Sequence, residues 1–299
     1  MIFPKISIIT PSFNQGEYLE RTIQSVLNQN YPNLEYIIMD GGSTDHSVEI
    51  IKKYEDRITF WKSEPDRGMY DALQKGFAKS TGDIMTWINS DDTLAIKSLF
   101  TAAQIFSDYP QVEWLNGLPN QMDEEGRLTG VAALPRWNKY NYLKKDFKYI
   151  QQEGIFWRRS LWEKAGGFID VNFHLAADLE LWSRFFIHAQ LYYVNTLLGT
   201  FRARSKNQKS LEQLDDYHDD ALMVLQQMHS SLEEQKNIKL TQTSFWRMVS
   251  KRPLQFIYKM LKYDKVAAAV YEYPPSFYFN RAANKFMLPE ELNSYRNNT

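Results

Sequence analysis

The chain of 299 residues contains no cysteine, which removes disulfides, thiolate zinc sites and thiol nucleophiles from its chemistry. It also lacks an excess of either charge. Its 35 Lys and Arg face 36 Asp and Glu, so no global field draws it to nucleic acid or to an acidic polymer. A run of about 18 uncharged apolar residues is missing, and no spanning helix is expected. The opening Met1-Ile2-Phe3-Pro4-Lys5 carries no charged region ahead of an apolar stretch. A signal peptide is therefore not expected, and the default compartment is the cytoplasm. There is no Gly-rich dinucleotide fingerprint and no phosphate loop ending in Lys-Ser/Thr. The histidines, His46, His174, His188, His218 and His229, show no ligand spacing. What remains is ordinary for a globular protein: 43% hydrophobic and 24% charged residues, enough for one large domain or a domain with a helical extension. Aromatics reach 15%, a level met where sugars or membrane interfaces are contacted, although composition alone decides nothing.

Strand and helix signals alternate over the first hundred residues. Ile6 to Ile9 is a β-branched run closed by Pro11, and Asn14-Gln15-Gly16 punctuates a loop. Leu19, Ile23, Val26 and Leu27 follow at helical spacing. Leu34 to Met39 predicts a second buried strand, and Asp40-Gly41-Gly42-Ser43-Thr44-Asp45 a turn ending in a helix cap. A helix over 48–54, a strand over 58–61, a helix over 69–78 and a strand over 84–88 complete the pattern, which implies parallel pairing with helices on both faces. Beyond Ser98 the pattern loosens. Val112 to Leu115 predicts a strand, Asp123 to Gly126 a hairpin turn, and 191–194 with 198–201 an edge pair. A long polar helix is expected over 208–228. From Lys236 to Lys265 eight Lys or Arg stand against one acid, Asp264, among Phe245, Trp246, Phe256, Ile257, Tyr258 and Leu261. That composition suits either an interfacial amphipathic segment or a packed helical subdomain with a solvated basic face.

In an open α/β sheet, ligands bind outside the carboxyl ends of the strands. Three polar clusters fall there: Pro11-Ser12-Phe13-Asn14, Asp40-Gly41-Gly42-Ser43 and Asn89-Ser90-Asp91-Asp92. Adjacent carboxylates directly after the apolar run 84–88 repel unless a cation or hydrogen-bond donors offset them. Hard oxygen ligands suit Mg²⁺ or Mn²⁺, which bind through one or two carboxylates plus substrate phosphates. Taken alone, Asp92 could merely cap a helix starting near Leu94 and Asp91 be solvated. Asp40 likewise could serve only its turn.

The motifs together resemble the family 2 glycosyltransferases. The resemblance rests on Pro11 to Asn14, the helix segment Thr22 to Gln29, and Tyr36 to Asp45. Glu64-Pro65-Asp66-Arg67-Gly68-Met69-Tyr70-Asp71-Ala72 and Thr81-Gly82-Asp83 extend it, and Asn89-Ser90-Asp91-Asp92 is similar to that family's metal-binding Asp-x-Asp signature. It is close over about residues 5–95 and thinner to about 205. The resemblance implies a GT-A fold, with a mixed, mainly parallel sheet flanked by helices, and an inverting hexosyl- or N-acetylhexosaminyltransferase. Its donor would be a nucleotide-diphosphate sugar, a UDP-sugar first, with Mn²⁺ or Mg²⁺ as cofactor. The acceptor would be a glycan or lipid-linked oligosaccharide, as in bacterial polysaccharide and cell-envelope synthesis. By position, Pro11, Phe13 and Asp40 would contact base and ribose, Asp91 the ribose or donor sugar, and Asp92 the metal. Glu17 and Arg67 would be further donor contacts.

In the second half, His174-Leu175-Ala176-Ala177-Asp178-Leu179-Glu180-Leu181-Trp182-Ser183-Arg184 resembles the family's Glu-Asp-x-Asp/Glu-Leu-Trp-x-Arg segment. It implies Asp178 as the general base, with Glu180 second and Trp182 as core. The segment from Gln151 to Phe168 resembles the acceptor side, with Gln152, Glu153 and Trp157 as sugar contacts and Trp162 and Phe168 as packing. Two departures stand out: Gly41 replaces a second carboxylate in the turn, and Ala72-Leu73-Gln74 stands where Ala-Arg-Asn is frequent, with Asp71 or Arg67 as compensation. The division expected is a catalytic domain over 1–205, donor side to about 95 and acceptor side with the base beyond. A helical C-terminal extension over 206–299 would either pack on the catalytic domain or touch the cytoplasmic face of a membrane. The competing classes are a sugar-phosphate nucleotidylyltransferase, which would need a Gly-rich basic N-terminal signature, and a non-catalytic carbohydrate- or lipid-binding relative.

Overall fold

The computed structural model describes residues 3–134, 137–143, 150–205, 213–228 and 273–297. The chain opens with β1 (Ile6–Ser12), α1 (Gly16–Leu27), β2 (Leu34–Asp40), α2 (Ser47–Lys53), β3 (Phe60–Ser63), α3 (Met69–Phe77) and β4 (Ile84–Trp87). It continues through β5 (Thr93–Leu94), α4 (Ser98–Asp108), β6 (Trp114–Asn116), β7 (Asn120–Met122), β8 (Leu128–Val131) and α5 (Lys139–Leu143). Then come β9 (Phe156–Arg158), α6 (Arg159–Lys164), α7 (Ala177–His188), β10 (Leu191–Tyr193) and β11 (Gly199–Arg202). The last described elements are α8 (Leu214–Gln227), β12 (Tyr278–Asn280), β13 (Lys285–Met287) and α9 (Pro289–Asn297).

A seven-stranded sheet runs in the order β10-β6-β9-β4-β1-β2-β3. Strands β1 to β4 are mutually parallel, as is β10 with β6, and β9 alone runs antiparallel to both its neighbours. Every residue of β1 is buried, as a central parallel strand covered on both faces demands. The two-residue period of each strand then sorts side chains between two cores. Ile9, Ile37, Met39, Met85 and Trp87 join α3, α6, α7 and α8 on one face. Ile6, Ile8, Ile38 and Ile84 join α1, α2 and α4 on the other. The first core explains much of the aromatic content. Trp87 and Trp182 stack at 5.5 Å and 9°, with Trp114, Trp157, Phe77 and Phe185 packed around them.

One expectation about the later chain changes. Residues 191–194 and 198–201 do not pair with each other. β10 continues the main sheet beside β6, whereas β11 enters a second, four-stranded sheet ordered β5-β11-β7-β8. The turn between them is held by Val194 N–H on Asn116 O and Leu118 N–H on Thr196 O, which carries the chain from one sheet to the other. Described residues beyond the boundary expected near 205 also contribute to both cores. Ala221 and Val224 of α8 lie in the first core, and Phe277 and Phe286 lie in the second. Phe277 exchanges backbone hydrogen bonds with Tyr193 and Asn195, adding a bridge alongside Val194 at the β10 edge. The basic aromatic stretch 236–265 lies outside the described residues. Among those described, no helix is long and apolar enough to cross a membrane.

Candidate active site

Parallel pairing puts the carboxyl ends of β1 to β4 on one edge, with Ser12 opposite Asp40, Asp40 opposite Ser63, and Ile9 opposite Trp87. The chain runs from β1 outward to β3 on one side and returns to β4 on the other. A crevice therefore opens at the reversal. Two loops knit one wall of it. Asn14, at φ 51°, donates its N–H to Ser43 Oγ (2.8 Å) and accepts from the Thr44 amide (2.8 Å). The Gly16 N–H at the start of α1 donates to Asp45 Oδ2 (2.9 Å), and the Ser47 N–H to Asp45 Oδ1 (2.9 Å), so Asp45 holds both helix starts.

On this wall Pro11 is buried in β1, two residues past the last β4 pairing, and Phe13 stands 58% exposed. Glu17 is exposed in the first turn of α1. Asp40 is buried and already engaged: it accepts from the Gly42 and Ser43 amides (3.1 and 2.9 Å) and from the Ser43 and Ser63 hydroxyls (2.6 Å each). At Gly41 a Cβ would meet the Asp66 carboxylate, with Oδ2 at 2.9 Å, so a side chain there would require Asp66 to shift. Arg67 extends into solvent and pairs with Asp71 (2.8 Å), which also meets Lys75 (3.0 Å). Leu73 is core, and Gln74 accepts from the Ile169 amide (2.7 Å), so the middle-helix departure serves packing.

The other side of the crevice gathers carboxylates. Asp92 does not cap a helix: Thr93 and Leu94 form β5, and α4 starts only at Ser98. Thr22 Oγ1 donates to the carbonyls of Ser90 and Asp92 (2.9 and 2.7 Å), fixing the loop against α1. Asp92 is buried; Oδ1 accepts from the Arg202 N–H (2.7 Å) and Oδ2 from Asn89 Nδ2 (3.3 Å). Burial, then the neighbouring Asp91 and Glu153, push its carboxyl well above the usual range. Burial also raises Asp91, against the pull of Arg204, whose guanidinium lies 3.0 Å from Asp91 Oδ2. Glu153 is pushed up to about 7, chiefly by burial, with Asp178 adding repulsion. Asp178, in the first turn of α7, is raised to about 6 by burial. These mutual influences place Asp91, Asp92, Glu153 and Asp178 in one electrostatic neighbourhood.

Raised carboxyl groups in a cleft mark a place where something cationic or proton-donating belongs. Asn89 Oδ1, Gln152 Oε1 and Glu153 Oε2 are buried with no partner, all of them acceptor oxygens close in sequence to this cluster. Hard-oxygen donors of this kind fit Mg²⁺ or Mn²⁺. Among the described residues no three His, Cys, Asp or Glu side chains converge into a metal cage. Because Glu153 is raised, its ionisation opposes folding: the stability from its neutral form is full below about 4.5 and is lost as pH rises through about 7. Glu153→Gln is accordingly expected to raise Tm at pH 8 by roughly 2–5 °C and to change it little at pH 4. Calorimetry at the two values checks this, and an equal effect at both would contradict it.

The three acceptor-side expectations separate. Glu153 joins the cluster. Gln152 is buried with Nε2 donating to the Trp87 carbonyl (2.8 Å). Trp157 is a correction: it is fully buried among Phe77, Trp87, Trp162, Trp182 and Phe185, which leaves no ring face for a sugar. Trp157→Ala should cost about 3–5 kcal/mol of stability in urea unfolding, whereas a sugar contact would leave stability nearly unchanged. Glu180 is tied to Arg184 (2.7 Å), which also bonds the carbonyls of Ala165 and Phe168.

Arg202 and Arg204 do not stand out in the sequence. Arg202 is buried, with Nε on the Asp91 carbonyl (2.7 Å), Nη1 on the carbonyls of Asp123 and Glu124, and its guanidinium over the Tyr18 ring (5.1 Å). The one signal is an Arg-Ala-Arg spacing after a short strand, since residues two apart share a face. Gly199 in the same strand is obligatory in another way: a Cβ would sit 1.9 Å from the Glu153 carbonyl oxygen.

The family model described as "Glycosyl transferase family 2" matches residues 7–159, more than half of the chain. The chain belongs to glycosyltransferase family 2. An uncharacterised glycosyltransferase of Mycobacterium tuberculosis is 34% identical over 179 residues, 59% of this chain and 67% of that one. The GalNAc(5)-diNAcBac-PP-undecaprenol beta-1,3-glucosyltransferase of Campylobacter jejuni is 32% identical over 158 residues, 51% of this chain and 50% of that one. Among solved structures, Staphylococcus aureus TarS 1–349 in complex with UDP-GlcNAc superposes with a TM-score of 0.60 at 14% identity, over 89% of this chain and 81% of that one. The mannosyltransferase PcManGT of Pyrobaculum calidifontis, in complex with GDP-Man and Mn²⁺, gives 0.54 at 14%, over 90% and 87%. These likenesses show the GT-A fold, and the family makes the chain a glycosyltransferase.

Proposed function

We propose that this glycosyltransferase moves a sugar, with inversion, from a nucleotide-diphosphate sugar, a UDP-sugar first, to a hydroxyl of a glycan or lipid-linked acceptor. The observation that carries the reading is the shared neighbourhood of Asp91, Asp92, Glu153 and Asp178 outside β1 and β4. UDP-GlcNAc in TarS and the undecaprenol-linked acceptor in the name of the Campylobacter relative support the same classes here.

Asp92 would hold a Mn²⁺ or Mg²⁺ ion, with Asp91 against the ribose or donor sugar. A cation held there would supply positive charge to offset that of the leaving diphosphate. Pro11 and Phe13 would seat the base, with Phe13 offering its exposed ring and Glu17 lying at the margin. Asp40 acts on the nucleotide through the turn it braces or by exchanging one of its present bonds. Arg67 would need to leave Asp71 to reach a diphosphate. Asp178 takes the proton from the acceptor hydroxyl as that oxygen attacks the anomeric carbon on the face opposite the diphosphate, and inversion follows. Its raised range, near 6, keeps it ionised yet basic at neutral pH. Glu153 and Gln152 border the acceptor side. Residues 1–95 carry the donor and 96–205 the acceptor and base, and contact of 236–265 with the cytoplasmic leaflet is a further part of this proposal.

A panel of UDP-, GDP- and dTDP-sugars, each with and without Mn²⁺ or Mg²⁺, tests it by thermal stabilisation and slow hydrolysis. Metal-dependent stabilisation by one nucleotide class is the expected result. Stabilisation by none would overturn the donor assignment. Stabilisation by a sugar phosphate with a nucleoside triphosphate would favour a nucleotidylyltransferase.

A further inference from the structure

Asp178 must present its carboxylate in one place, and its Oδ1 accepts from the Leu179 N–H (2.7 Å) inside the first turn of α7, yet the segment ahead of it has no cap of its own. The residue before α7 is Ala176, which has no side-chain oxygen to cap the first amides. The fastening comes from elsewhere in the chain. Asp220 Oδ2, on α8, accepts hydrogen bonds from three consecutive backbone amides, those of His174 (3.1 Å), Leu175 (2.9 Å) and Ala176 (3.3 Å). Asp220 is in turn fixed by its own helix, because the next residue, Ala221, and Val224 one turn on are buried in the first core. From the opposite direction Tyr70 of α3 donates its hydroxyl to the Leu175 carbonyl (2.9 Å). The segment 174–176 is therefore gripped by donor and acceptor from two helices, two residues ahead of Asp178.

The geometry points to Asp220 as a positioning residue for Asp178, a tertiary cap that sets where α7 begins and so where the base stands. This role rests on the assignment of Asp178 as base. Charge-assisted bonds donated by three amides to one carboxylate oxygen are stronger than neutral ones. A base displaced by about 1 Å loses on the order of 100-fold in rate. Asp220 acts through backbone amides, with no substrate contact assigned to it. Its effect should fall on turnover and spare the donor wall, which is built from β1, β2 and α1.

The test compares Asp220→Ala, Asp220→Asn and Asp178→Ala in the full-length chain. Hydrogen exchange at the amides of 174–176 is expected to speed up at least about tenfold in Asp220→Ala, with distant amides unchanged. For metal-dependent hydrolysis of the nucleotide sugar that stabilises the chain most, kcat should fall about 10- to 100-fold with KM held within about twofold. Asp220→Asn keeps an acceptor oxygen and should recover most of the rate. The double variant Asp178→Ala/Asp220→Ala should be no slower than Asp178→Ala alone. Unchanged exchange at 174–176, or unchanged kcat, overturns the positioning role, as does equal loss of folding and donor binding in both Asp220 variants. Normal turnover in Asp178→Ala would instead remove the base assignment, and the exchange data would still report the cap.

Discussion

Asp92→Ala is expected to abolish the thermal shift proposed for Mn²⁺ and UDP together, weakening metal-dependent nucleotide binding by on the order of 100-fold or more. The carboxylate is buried, flanked by Asp91 and Glu153, and held above its usual range by those surroundings. Such a group is costly to ionise alone and cheap to ionise beside a cation. Two contrasts make the result diagnostic. Asp92→Asn keeps an oxygen for the Arg202 amide, so its folding without ligand should match or exceed the parent, because one ionisable member of a crowded acidic set is gone. Metal-dependent binding should nevertheless be lost in both variants. Isothermal titration with MnCl₂ and UDP, with and without each other, reads the coupling directly. Undiminished synergy in Asp92→Ala would place the cation elsewhere.

Asp178→Ala is expected to lower kcat by about 10²–10⁴-fold while donor affinity stays within about twofold. The sign of its pH dependence follows from burial, which raises the carboxyl to about 6. The base works only when unprotonated. Turnover should therefore fall about tenfold for each unit of acidification below 6 and level off above it. Glu153, raised to about 7, lies in the same acidic set, so the decisive comparison is between profiles. The acid limb near 6 should vanish in the residual activity of Asp178→Ala. A limb that persists unchanged would assign it to another group, with Glu153 the nearest alternative.

The first ninety residues are legible in the sequence because each strand is short, apolar and ended by a loop-forming polar cluster. Parallel pairing then leaves few ways to arrange those ends. The predicted strands and helices fall within a few residues of β1 to β4 and α1 to α3. The helix that carries Asp178 is legible because Leu181, Trp182, Phe185 and Phe186 define a buried helical face. Residues 191–201 read wrongly as a pair because two neighbouring apolar runs look alike whether they share a sheet or leave it. Only contacts distant in sequence, with β6 and β5, decide that. Trp157 misleads for a related reason: an indole reads the same as sugar platform or as core, and a crowd of other aromatics settles it. Arg202 and Asp220 escape notice because each acts on backbone groups far away in the chain, which leaves no local spacing to read.

The bridge that Phe277 makes beside β10 has a practical corollary for anyone who would shorten the chain. Helix α8 anchors it in the first core ahead of residue 229, and Phe277 and Phe286 anchor it in the second core after residue 272, so the stretch 229–272 is bracketed by two moorings. Cutting the gene short to discard the basic segment would also strip Phe277 and Phe286 from the second core and take away the hydroxyl partner of Tyr109, the Glu291 carboxylate. Poor expression of such a truncation would report an opened core and say nothing of lipid. An internal excision that spares both moorings is the cleaner way to ask what the segment does.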